Sequence, residues 1–137
     1  MSGLEFLDTN VLVYSYDISD RRKQEVARGF VRRALTGGFV TSTQVLGEFA
    51  AALLHKVSPR VDSQALTRAL DALVPIPVIS TDSDMVRRAV EVHDRYRVHY
   101  HDSLIIAAAE RAGCECIWSE DLNAGQKYFG VTVQNPF

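Results

Sequence analysis

Phe6-Leu7-Asp8-Thr9-Asn10-Val11-Leu12-Val13-Tyr14 is the stretch that decides the fold of this 137-residue chain. The apolar run Leu4 to Leu7 reads as a short strand. It breaks on Asp8-Thr9-Asn10, three side chains suited to a turn from strand into helix. A strand that feeds a helix is the unit from which parallel sheets are built. The rest of the chain repeats that unit.

Downstream, Ser19 or Asp20 is placed to cap a helix that ends near Gly37-Gly38. Its apolar stripe is Val26, Ala27, Phe30, Val31, Ala34 and Leu35, with Arg21, Arg28 and Arg32 together on the other side. Phe39 to Thr41 reads as a second strand. Thr43 opens a helix that buries Val45, Leu46, Phe49, Leu53 and Leu54 and stops before Pro59. Asp62 to Leu73 is a further helix, closed by Pro75. Pro77 to Ser80 reads as an edge strand because of its proline. Asp82 or Ser83 caps a helix carrying Met85, Val86, Ala89, Val90 and Val92. Another helix runs from about Asp102 to Ala112, closed by Gly113. Cys114 to Ser119 and Val131 to Val133 complete five strands. Strands separated by helices imply parallel pairing with right-handed crossovers, and so a three-layer α/β sandwich.

The length fits one compact domain over residues 1–137. The hydrophobic fraction of 47% and charged fraction of 23% are those of a globular chain. No apolar run reaches the length of a membrane span, and the N-terminus lacks a basic segment followed by an apolar one. The expected location is the cytoplasm. Cys114 and Cys116, one residue apart, are too close for an unstrained disulfide and too few for a zinc site, so they read as small core residues. The net charge of -2 runs against a nucleic-acid partner, which usually meets a basic protein.

Open α/β sheets form their sites beyond the carboxyl ends of the strands, where the strand order reverses. Asp8 follows the first strand and Asp121 the fourth, and they meet at one crevice if those strands are neighbours. Each acid also has an ordinary reading. Asp8 suits a helix N-cap, although Thr9 and Asn10 suit that task as well. Glu48 lies at the margin of an apolar stripe and reads alone as a border glutamate. Asp102 falls on the wheel among Ile105, Ile106 and Ala109, towards the core, yet it also suits the cap of its helix. Asp121, in Ser119-Glu120-Asp121, has the same ambiguity. Their joint placement carries more than any one of them. Two carboxylates ~4 Å apart repel by roughly 4 kcal/mol at an effective dielectric near 20, so a cluster needs cations to stay ionised. Carboxylate ligands favour Mg²⁺ or Mn²⁺, the ions that serve phosphodiester hydrolysis. His93 reads as a core histidine, and His99 and His101 are spaced like strand neighbours and not like helical zinc ligands.

At this point the sequence resembles the PIN-domain family, and within it the VapC-type toxin ribonucleases of bacterial toxin–antitoxin pairs. The matching blocks are the opening stretch, Ser42-Thr43-Gln44-Val45-Leu46-Gly47-Glu48-Phe49, then His101-Asp102-Ser103-Leu104-Ile105-Ile106, and Ile117-Trp118-Ser119-Glu120-Asp121-Leu122-Asn123. The closing Val131-Thr132-Val133-Gln134-Asn135-Pro136-Phe137 is also similar to the end of many bacterial members. The resemblance implies a five-stranded parallel sheet in order 3-2-1-4-5. It implies Mg²⁺- or Mn²⁺-dependent endoribonuclease activity that leaves 3′-hydroxyl and 5′-phosphate ends. It implies Asp8, Glu48, Asp102 and Asp121 as the catalytic, metal-holding acids, with Asn10 and Ser119 as supporting polar residues. It further implies a homodimer and a VapB-like antitoxin whose tail enters the acidic groove. Two features depart from the pattern. Asn123 and Gly125 stand where some members carry a further acid, and His101 precedes Asp102 where an aromatic is common.

An RNA substrate needs basic flanks. Arg21, Arg28 and Arg32 are one candidate, and Arg87, Arg88 and Arg95 another, though each also reads as a solvated helix face. Tyr14, Tyr16 and Tyr100 are placed either to stack on bases or to fill the core. Three other functions fit parts of the pattern: a non-catalytic PIN-like module binding RNA or protein, a housekeeping nuclease without antitoxin, and a metal-dependent phosphatase or DNA nuclease. An aspartyl-nucleophile phosphatase normally has a second Asp two residues after the first, and Asn10 stands there.

Overall fold

The computed structural model describes residues 3–137. Its elements in chain order are β1 (Leu4–Leu7), α1 (Thr9–Tyr14), α2 (Arg21–Leu35), β2 (Phe39–Ser42), α3 (Thr43–His55), α4 (Ser63–Ala72), β3 (Val78–Ile79), α5 (Ser83–Tyr96), α6 (Tyr100–Arg111), β4 (Cys114–Trp118), β5 (Lys127–Tyr128) and β6 (Val131–Gln134). The sheet runs β3-β2-β1-β4-β6-β5. β1 sits between β2 and β4, parallel to both, with Phe6 level with Val40 on one side and Ile117 on the other. The order reverses at β1, because the chain moves outward through β2 and β3 and then returns to β4. Right-handed crossovers on either side of that reversal put helices on both faces of the sheet.

The expected order holds for the five strands read from the sequence, and the structure adds a sixth. Lys127–Tyr128 pairs antiparallel with β6, Tyr128 opposite Val131. The two residues between them, Phe129 and Gly130, both have positive φ (45° and 86°). Such a two-residue hairpin normally announces itself by Asn-Gly or Asp-Gly. Phenylalanine in the first position gives no such signal.

Helix starts follow side-chain chemistry closely. Asp20, Ser42, Asp62 and Asp82 accept the amides of Lys23, Val45, Ala65 and Met85. This settles the two openings that sequence left between neighbours, in favour of Asp20 and Asp82. α6 departs from expectation. It begins at Tyr100, because His99 is its N-cap and accepts the amide of His101 at 3.2 Å. The turn that delivers His99 is made by Arg97, whose φ of 59° closes α5 in a left-handed residue. His99 and His101 are therefore not strand residues, and their rings stack with centroids 5.3 Å apart.

The core lies on both faces of β1. Phe6, Leu7, Phe49, Leu53, Ile106 and Ile117 are wholly buried. α6 is apolar all round, with every residue from Ser103 to Ala109 buried, as befits a helix enclosed between sheet and α5. Cys114 and Cys116 are buried free thiols, and burial, helped by the Glu5 carboxylate, pushes each up to about 12. Trp118 is tilted on Phe30 with centroids 4.7 Å apart, and its indole N–H donates to Glu5 Oε1 at 2.9 Å. Three assignments from the sequence need correction. Leu35 is 37% exposed, one turn beyond the buried part of the α2 stripe. Leu46 and Leu54 are half-buried. His93 is exposed, and its Nδ1 bonds the Val98 carbonyl at 2.6 Å.

Ile106 is 0% exposed at the centre of α6. Ile106→Ala is expected to cost about 2–5 kcal/mol, read as a shift of the urea midpoint at unchanged slope.

Candidate active site

β1 and β4 deliver the first two groups. Leu7 is level with Trp118, and the Asp8 amide donates to the Trp118 carbonyl at 3.1 Å. The residues just past the two strand ends, Asp8 and Ser119, therefore stand side by side. The Ser119 hydroxyl donates to Asp8 Oδ2 at 2.7 Å, and the Thr9 amide donates to Oδ1 at 2.7 Å. Asp8 is thus the N-cap of α1, as its ordinary reading held. The other reading is not displaced, because the second carboxylate oxygen is committed to Ser119 and the residue is only 5% exposed.

Asp121 follows two residues after Ser119. Its amide donates to the Ser119 hydroxyl at 3.1 Å, and its Oδ2 accepts Asn10 Nδ2 at 3.1 Å. Asn10 also takes the Glu120 amide on its own carbonyl oxygen at 3.2 Å. One asparagine thereby fixes the loop after β4 to the first turn of α1. Glu48 arrives from α3, which follows β2. It is exposed, and it accepts the Thr9 hydroxyl at 2.8 Å and Gln44 Nε2 at 3.2 Å. Gln44 Nε2 also reaches the His101 carbonyl at 3.0 Å, joining α3 to the start of α6. Asp102 lies in the first turn of that helix, half-buried, and is not its cap.

The four acids act on one another. Burial is the main cause that raises Asp8 from its ordinary 3.8 to about 6, against the bonds from Ser119 and Thr9; Asp121 and Glu48 push it further. Burial also raises Asp102, with Asp121 and Glu48 adding to the effect while His99 and His101 oppose it. Asp121 and Glu48 are thus felt by both of the other carboxylates. None of the four lies within ion-pair distance of a lysine or arginine among the described residues. No three His, Cys, Asp or Glu side chains among the described residues are closed into a ready-made metal cage. The donor set itself, carboxylate oxygens without a protein cation, fits an oxygen-preferring divalent ion such as Mg²⁺ or Mn²⁺.

A groove of about 390 Å³ opens beside the acids, between α1 and α3. Thr9, Asn10, Tyr14, Glu48, Glu120 and Asp121 line it, with Lys56 at the end of α3. Several lining residues escaped the sequence reading, Asp17 just beyond the end of α1 among them. Thr9 read only as a turn residue, Glu120 as a neighbour of Asp121, and Lys56 as nothing in particular. Gln44, outside the lining, also escaped, although its place four residues before Glu48 on one helix was a usable signal. Of the tyrosines, Tyr14 lines the groove, Tyr16 packs edge-on against Phe49, and Tyr100 sits beside His101. Arg88 is taken up by Glu110 and Glu91 and lies over Phe129, so the second basic candidate is largely structural. Asn123 Nδ2 donates to Gln126.

A doubly wound α/β sheet with acids gathered at its switch point is the class of protein that fold and site together define. The chain belongs to the PIN-domain family, whose model matches residues 6–129. No curated protein matches the sequence. Among solved structures, the chain is similar to a toxin–antitoxin complex from Klebsiella pneumoniae (20% identity, TM-score 0.70, 97% of this chain and 98% of that one). It is similar to VapC20 of Mycobacterium tuberculosis, a sarcin–ricin-loop-cleaving toxin (19%, 0.66, 85% and 89%). It is also similar to DNA-bound VapBC from Salmonella typhimurium (15%, 0.71, 98% and 99%). At these identities the likeness is one of fold.

The raised Asp8 carboxyl has a consequence for stability in the absence of divalent ions. The folded state holds the proton up to about pH 6 and the unfolded chain releases it near 3.8, so stability falls as pH rises through that window. Asp8→Asn removes the charge, can still accept the Thr9 amide, and meets Ser119 only with the bond reversed, its NH₂ donating to the hydroxyl oxygen. The variant is expected to exceed the parent in unfolding free energy at pH 7 by up to about 3 kcal/mol, read by urea titration, with the gap closing towards pH 4.

Proposed function

We propose that this chain is a Mg²⁺- or Mn²⁺-dependent endoribonuclease and the toxin of a type II toxin–antitoxin pair. The observation that carries the reading is Asp8. It is a buried carboxylate, held by two hydrogen bonds, exposed to the fields of Glu48 and Asp121, and without a protein cation among the described residues. An unneutralised buried charge is expensive. Asp8 and Asp102, with Glu48 and Asp121, are the residues that would hold the ion. When bound, that ion neutralises the scissile phosphate and acidifies a water for attack on phosphorus.

The chain's own residues do the remaining work. Ser119 keeps Asp8 oriented and, through the Asp121 amide, fixes the start of the loop that carries Asp121. Asn10 holds the Asp121 carboxylate, and Thr9 with Gln44 holds Glu48. The groove between α1 and α3 admits a strand, with Tyr14 and Lys56 on its walls. Membership of the family and the named likenesses to toxin–antitoxin proteins support RNA as substrate and a VapB-like antitoxin as partner; a homodimer is what the resemblance implies for the assembly. No helix among the described residues is long and apolar enough to cross a membrane, which agrees with a cytoplasmic role.

Asp8→Asn and Asp102→Asn are each expected to lower Mn²⁺-dependent cleavage of RNA by more than about 100-fold, with far-UV circular dichroism unchanged. Retention of full activity by both variants removes the mechanism. Calorimetric titration with Mn²⁺ is expected to show binding to the parent and weaker binding to Asp8→Asn. Expression without an antitoxin is expected to arrest growth, and a harmless but active enzyme points to a housekeeping nuclease.

A further inference from the structure

A polyanion entering an acidic groove needs a cation at the wall, and the structure holds one in an unexpected state. Lys23, in the first turn of α2, is in ion-pair contact with Glu120, and its ammonium lies 3.4 Å from the Tyr14 hydroxyl. It also sits over the Tyr14 ring at 4.9 Å and over the Phe137 ring at 5.5 Å. Tyr14 and Glu120 both line the groove. Glu120 is itself pinned by its backbone, whose amide donates to Asn10, the residue that holds Asp121. The lysine therefore reaches the groove wall one residue away from the acidic centre, with its charge cancelled by a carboxylate.

We propose that Lys23 is a phosphate-binding residue of the groove and that Glu120 is its internal placeholder, a carboxylate that keeps the lysine in position until an RNA phosphate takes its place. The proposal rests on the nuclease reading for the identity of the polyanion. Three physical points support it. The side chains of Lys23 and Glu120 remain 23% and 25% exposed, so the pair is open to solvent and to the approach of another anion. An RNA phosphate carries the same single charge and two free oxygens as a carboxylate, but it arrives as one of a row whose bound counterions are released on binding, which favours the exchange. The two aromatic rings face the ammonium itself, so it stays at the wall when Glu120 swings away. Exchange also filters ligands, since a neutral or weakly charged molecule cannot displace Glu120.

A structural tether between α2 and the loop after β4 would use the same pair, and the signs of two substitutions and their combination separate the roles. If Glu120 is a placeholder, Lys23→Met weakens RNA binding while Glu120→Gln strengthens it. If the pair is only a tether, either both weaken binding or the gain in Glu120→Gln, being no more than a lost groove charge, persists in the double variant with Lys23→Met; a placeholder's gain requires Lys23 and disappears there. The measurement is fluorescence anisotropy of a labelled single-stranded RNA with the full chain in EDTA, repeated over a salt series, alongside KM and kcat for Mn²⁺-dependent cleavage.

Lys23→Met is expected to raise Kd and KM at least about threefold and to reduce the salt slope by about one. Lys23→Arg is expected to restore both, and Glu120→Gln to lower Kd and KM about threefold. Changes of the same sign, a Glu120→Gln gain that persists in the double variant, unchanged affinity in both variants, or no RNA binding by the parent overturn the proposal. The nuclease reading fails separately. A parent that binds RNA with this pattern but cleaves none leaves Lys23 in its role, and a cleaving parent whose two variants behave alike removes only Lys23.

Discussion

One hydrogen bond, from the Ser119 hydroxyl to the Asp8 carboxylate, ties the two central strands together where they end. β1 and β4 are sequence-distant, and their parallel pairing alone would leave the residues beyond them free to diverge. Ser119 prevents this by also accepting the Asp121 amide. Asp8 in turn caps α1, whose first two residues hold Glu48 and Asp121 through Thr9 and Asn10. The carboxylate that is most costly to bury is therefore the one from which the positions of two others are set. A buried acid with so many dependants is a poor place for a purely structural group, since an amide would serve the fold more cheaply.

Much of this was legible in the sequence because the signals are local. Aspartate ahead of an apolar periodic run marked α2, α4 and α5, whose caps accept the amide three residues on, while the cap of α3 is Ser42, one residue before the Thr43 at which the sequence places its opening. The positions of Asp8 and Asp121 followed from the rule that sites open beyond strand ends. The missed features depend on tertiary contact. Nothing local distinguishes His99 from any polar residue, so the start of α6 was placed two residues late. The Phe129-Gly130 hairpin lacks the usual turn chemistry. His93 lies on a helix face that reads as apolar but looks outward. Thr9 bonds to Glu48, and that bond exists only once α1 and α3 are side by side.

Charge is likewise organised by the fold more than by composition. A net charge of -2 gave no sign of a polyanion partner. Yet α2 carries Arg21, Arg22, Lys23, Arg28, Arg32 and Arg33 against a single acid, Glu25. The four acids of the site are gathered just past the ends of β1 and β4, on α3 and in the first turn of α6. Segregation of this kind lets a nearly neutral chain present a strongly anionic centre beside a cationic helix.

Trp118 has a use that its packing role does not exhaust. It is the chain's single tryptophan, half-buried between Phe30 and Glu5, and it immediately precedes Ser119. Any shift of the segment that carries Ser119 and Asp121 must alter the polarity around this indole. The protein therefore contains its own optical probe, and ultraviolet emission can follow events at the crevice without a dye or a label.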